Sequence, residues 1–90
     1  MNRAERKRFD DLLEQVLDEF PQDAGASNDL GFLWADRGVH LNRAQRLIEL
    51  AVAADPDNHA YRDSLGWVLF RQGKAAEAVA ELEQAAASDK

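Results

Sequence analysis

The sequence predicts an all-α fold: antiparallel helix hairpins stacked side by side, with five helices in all. Three observations carry this. The chain echoes itself at a spacing of 35 residues: Leu30-Gly31-x-x-Trp34 returns as Leu65-Gly66-x-x-Leu69, and Pro21 returns as Pro56. Its apolar residues recur at helical spacing, with no strand signal. Gly, Pro, Asp and Asn fall between the periodic runs, where turns are needed. Self-similarity at this period marks stacked units, because one unit cannot bury its apolar face alone.

Composition sets the limits. Ninety residues allow one domain, 1–90, with a thin core. Much of the 46% hydrophobic content is alanine, which suits close helix packing and argues against disorder. Cysteine is absent, which excludes disulfides and thiolate metal sites. No apolar run approaches the ~20 residues of a membrane span. The basic start, Met1 to Arg8, lacks the apolar core of a secretory signal. A cytoplasmic setting without membrane insertion is therefore the expectation. The net charge of −6 is uneven: residues 1–8 carry +3 and the rest −9. An acidic body lacks the basic field of a nucleic-acid surface, so no nucleic-acid partner is expected.

Each element then follows. Phe9, Leu12, Leu13, Val16, Leu17 and Phe20 form one apolar stripe on a helix over about 2–20, ended by Pro21. Gln22 to Ser27 reads as a turn. The second helix runs to about Arg37 with Leu30, Leu33 and Trp34 inward, and Gly38 stops it. Asn42 is the expected cap of the third, which buries Ala44, Leu47, Ile48, Ala51 and Val52. Asp55-Pro56-Asp57-Asn58 is a turn. The fourth helix spans about His59 to Gln72, with Tyr61, Leu65, Val68 and Leu69 inward. The fifth, about Lys74 to Ala87, is expected to bury Ala75, Ala78, Val79, Leu82, Ala85 and Ala86.

Taken in phase, these residues resemble the tetratricopeptide repeat. Its pattern is W-x2-L-G-x2-Y, then A-x3-F, a further A and a P. One copy holds Leu30, Gly31, Trp34, Ala44, Ile48, Ala51 and Pro56; the next holds Leu65, Gly66, Leu69, Ala78, Leu82 and Ala85. Phe9, Leu13, Val16 and Pro21 match the second half of a preceding copy. The resemblance covers two and a half repeats: a half repeat over 2–20, then 24–56 and 57–89. It departs at the tryptophan slot, held by Ser27 and Arg62, and at Phe9 and Val16, large residues in small slots. One extra residue lies between Gly38 and Ala44. The resemblance implies hairpins wound as a right-handed superhelix.

It also implies a function. Proteins of this family bind extended or helical partner segments in a groove lined by the first helix of each repeat. Helix geometry places Asn28, Phe32, Ala35 and Asp36 on that face, and Asp63, Trp67, Phe70 and Arg71 on the next, both at i, i+4, i+7 and i+8. Three aromatics, Phe32, Trp67 and Phe70, share it. The family's clamp for acidic chaperone tails needs lysines on these stripes; here they are missing and Asp63 is acidic, so that use is not expected.

Catalysis has little to stand on. His59 and Asp63 are four apart on one helix, but an i, i+4 pair of this kind is usually a surface feature, and no Gly-rich elbow accompanies it. His40 has no second ligand near it in sequence, against the ~3–4 a zinc site needs. The expectation is a non-enzymatic protein–protein interaction module with no cofactor and no metal, binding a protein or peptide of unknown identity. The alternative is a structural role, as a segment of a longer solenoid or as a self-assembling subunit. The opening helix shows more large apolar residues than one neighbour can cover, which predicts a homodimer through that helix, the aromatic stripe or both.

Overall fold

The computed structural model describes residues 3–88, with side chains placed for 9–84, 86 and 87. Asn2, the expected helix start, and the side chain of Ala85 lie outside these. The described residues form five helices and no strand: α1 (Arg3–Glu19), α2 (Ala24–Arg37), α3 (Leu41–Ala54), α4 (His59–Arg71) and α5 (Ala75–Ser88).

Local chemistry explains the boundaries. α2 starts earlier than expected, because Asp23 caps it: its carboxylate accepts the Ala26 N–H at 3.0 Å. Ala24, Gly25 and Ser27 are therefore helical rather than turn. Asn58 caps α4 in the same way, accepting the Tyr61 N–H at 3.1 Å. Asn42 does not cap α3. That helix begins one residue before it, behind His40, which adopts a left-handed conformation (φ 49°) without a side-chain cap. His40 is the extra residue counted from Gly38, and its ring lies 4.9 Å from that of Trp34. Asn42 instead accepts from Gln72 Nε2 at 3.0 Å.

The two hairpin turns open alike. Gly38 N–H donates to Ala35 O and Val39 N–H to Trp34 O; Gly73 N–H donates to Phe70 O and Lys74 N–H to Leu69 O. Both glycines are left-handed, at φ 73° and 81°, where a Cβ would be strained.

α2 pairs with α3, and α4 with α5. α4 also lies across both α2 and α3, so the first hairpin is covered by the second. Among the described residues, α1 packs on α2 alone and α5 on α4 alone. The core is Leu30, Trp34, Ala44, Ile48, Leu65, Val68 and Leu69. Each large side chain fully buried there contributes about 1.5–3 kcal/mol. Gly31 sets the α2–α3 approach: a Cβ on it would lie 2.9 Å from the Ala44 carbonyl oxygen and 2.7 Å from Ile48 Cγ1.

The tryptophan slots are filled by polar ties. Ser27 is buried and its hydroxyl donates to Leu47 O at 2.6 Å, joining α2 to α3. Arg62 donates to Gln84 Oε1 at 2.8 Å and to Pro56 O at 2.9 Å, and pairs with Glu81, joining α4 to α5. α1 is held to α2 by Leu13 in the core and by an ion pair between Asp10, which is buried, and Arg37.

At the ends of the stack one expectation about burial fails, on α5, and one holds, on α1, whose large apolar residues exceed what one neighbour covers. On α5 only Ala78 is buried among the described side chains; Ala75, Val79, Leu82 and Ala86 are exposed. On α1, Phe9, Leu12, Val16 and Phe20 are exposed while Leu13 is buried. The cause is topological: each terminal helix has one neighbour, so half of its apolar girth has nothing to pack on. No helix among the described residues is long and apolar enough to cross a membrane.

Candidate functional site

The first helix of each hairpin carries the residues that the sequence marks as a binding stripe. Gly66 on α4 faces Leu82 of α5, where a Cβ would lie 2.9 Å from Leu82 Cγ. Of the aromatics near it on α4, Phe70 is exposed and Trp67 is half-buried, packed against the core. Their rings stack, with centroids 5.8 Å apart and planes at 16°.

Four of the stripe residues come together. Phe32, Asp63, Trp67 and Phe70 line one open groove of about 700 Å³. Its far wall is α5, through Ala78, Val79 and Leu82. The groove therefore opens on the flank of the second hairpin, with Phe32 reaching it from α2. Its lining is apolar apart from the Asp63 carboxylate and the Ser64 hydroxyl, which is turned back to Ala60 O. Phe70 is 59% exposed and Phe32 42%. Together they form a contiguous exposed apolar patch.

The other four stripe residues do not line it. Ala35 is fully buried, so it presents no side chain to a partner; α4 covers its position. Asp36 is exposed beyond the groove. Arg71 is committed within the chain: its Nε donates to Ala35 O at 2.9 Å, its Nη2 lies 3.5 Å from Asp36 O, and its guanidinium sits 5.7 Å from the Trp67 ring centre. A cation there meets the last carbonyls of α2, where the helix end is negative. Asn28 is half-buried beside Asp29, with its Oδ1 unpartnered. The Trp67 indole N–H likewise has no acceptor.

Sequence reasoning missed the α5 wall. Val79 and Leu82 sit at helical core spacing, and the repeat pattern assigns Leu82 a packing slot. Only the absence of a helix over that slot, among the described residues, exposes it.

Comparison with known proteins fits this geometry. No family model matches the chain. The chain is 42% identical over 73 residues to the TPR repeat-containing protein PA4667 of Pseudomonas aeruginosa, a match covering 81% of this chain and 12% of the relative. It thus spans about an eighth of that protein's length. The paired helices, the shared glycine turns, the slot residues in phase and this likeness agree: the chain belongs to the tetratricopeptide-repeat family.

Proposed function

We propose that this chain, as a single domain over 1–90, is a non-enzymatic protein–protein interaction module that seats a segment of its partner in the aromatic groove. The observation that carries this is the exposed Phe70 stacked on the half-buried Trp67, beside Phe32 and above an apolar floor. Asp63 adds one acidic contact at the rim. Repeats of this family serve protein interaction in general, which supports the class; the groove is our reading of this chain. Capture of a partner by the wild type and not by Trp67→Ala, with the helical circular-dichroism signal unchanged, is the expected result. Loss of the folded signal in that variant would return Trp67 to a packing role and remove the groove from consideration.

A second reading is self-association. It is favoured by the exposed stripe Phe9, Leu12, Val16 and Phe20 on α1, a second large apolar surface that α2 leaves uncovered.

A further inference from the structure

We infer that the flank groove of the α4–α5 hairpin takes α1 of a second copy of this chain, so that copies join head to tail. This rests on the reading of the groove as a docking surface and names one occupant for it.

Shape comes first. The groove is concave, and two concave surfaces cannot fill each other; the occupant must be a convex ridge of apolar side chains. Such a ridge is on the page. Phe9, Leu12 and Val16 lie at i, i+3 and i+7 on α1, and Phe20, just past its end, continues them as a single exposed stripe. The chain also shows how such a groove is filled. On the α2–α3 hairpin the equivalent flank is covered by α4, which buries Leu65 and Val68. The lining slots match in kind: Gly31, Ala44 and Ile48 there, Gly66, Ala78 and Leu82 here.

The α1 stripe is not shaped for a close hairpin partner of its own. Where α3 has Ala44 and Ala51, α1 has Phe9 and Val16. Side chains of that size hold a neighbouring helix off, and suit a groove with room for them. Charge favours the contact only at one end: α1 opens with Arg3, Arg6, Lys7 and Arg8 against Glu5, while its remainder holds Asp10, Asp11, Glu14, Asp18 and Glu19, and α5 carries Glu77, Glu81 and Glu83 and no basic residue. Asp63 adds a further negative group at the groove.

Position then sets the symmetry. Among the described residues α1 touches only α2 and α5 only α4, so ridge and groove sit at opposite ends of the described stack. A contact between unlike surfaces at opposite ends leaves a free ridge and a free groove on every pair. Copies therefore add on, rather than closing as the two-fold dimer that the exposed apolar residues alone would suggest.

Complementation tests this. Leu12→Glu spoils the ridge and Leu82→Glu spoils the groove, both at exposed positions, with circular dichroism to confirm folding. Sedimentation of the wild type should show mass rising with concentration past two copies, and weakening in high salt. Each variant alone should stay near 10.1 kDa. Their equimolar mixture should form a pair of twice that mass and stop, since one sound ridge meets one sound groove. Association of Leu12→Glu by itself would mean groove meets groove, and association of Leu82→Glu by itself would mean ridge meets ridge; either overturns the inference. A wild type that stays monomeric yet captures a partner through Trp67 sinks the head-to-tail contact alone. A wild type that does neither sinks the docking surface with it.

Discussion

The two hairpins are near copies in sequence and unlike in circumstance. Ile48 and Leu82 hold the same slot, yet Ile48 is fully buried and Leu82 is 45% exposed. Ala35 and Phe70 are equivalent too; the first is sealed and the second is open. At Gly38 a Cβ would lie 2.7 Å from Arg71, whereas at Gly73 nothing lies within 4 Å. In each case the difference is α4, which covers the first hairpin and has no counterpart over the second among the described residues. Burial in a stacked array is thus a property of position in the stack and not of the slot. The same side-chain pattern makes core in one place and an exposed apolar face in the next.

Mutation of paired slots should measure that difference directly. The largest contrast is expected between Ile48→Ala, at about 2–5 kcal/mol of lost stability for a buried large-to-small change, and Leu82→Ala, at about 0.5 kcal/mol or less for a surface change. Denaturant melts would read both, and equal losses would mean that Leu82 is covered in solution. Next come the glycines. Gly31→Ala should cost about 1–3 kcal/mol, because its Cβ meets the rigid Ala44 carbonyl at 2.9 Å. Gly66→Ala should cost less, because its nearest neighbour is the Leu82 side chain, which has open space to move into. Gly66→Leu exceeds that slack and should again reach about 1–3 kcal/mol. The smallest pair is the two polar ties. Ser27→Ala removes a buried hydrogen bond to Leu47 O and should cost about 1 kcal/mol. Arg62→Ala removes more bonds but from a partly solvated site, so about 0.5 kcal/mol is expected. Thermal melts of the two variants side by side would rank them, and a reversed order would show that the second hairpin depends on Arg62 for its closure.

The fold was legible because the signals repeat. Leu30-Gly31 and Leu65-Gly66, the paired glycine turns and the two prolines each report the same geometry twice, which leaves little room for another arrangement. Helix starts were less legible. Asp23 and Asn42 are both good caps, and only the packing of His40 against Trp34 decides that α3 starts before Asn42. The site was half legible. Helical periodicity alone brings Phe32, Asp63, Trp67 and Phe70 to one face. It does not reveal that Ala35 lies beneath α4, or that Arg71 turns back to α2, because both depend on how one hairpin sits on the other. Val79 and Leu82 read as core for the same reason: periodicity shows which face is apolar and is silent on what covers it.

Arg71 has a consequence for the order in which the molecule can assemble. The last turn of α2 ends in carbonyls that its own chain satisfies only in part, and the second hydrogen bond to Ala35 O arrives from a residue 36 positions downstream. α2 is therefore not completed when its own hairpin closes; its end is finished only when α4 docks. Repeat arrays are often free to fray hairpin by hairpin. A bond that spans two hairpins opposes this, linking the opening of one to the opening of the other, so the described stack is expected to melt as one cooperative unit. Gly38 belongs to the same device: the bare α-carbon that lets the chain turn also leaves the space in which the guanidinium lies.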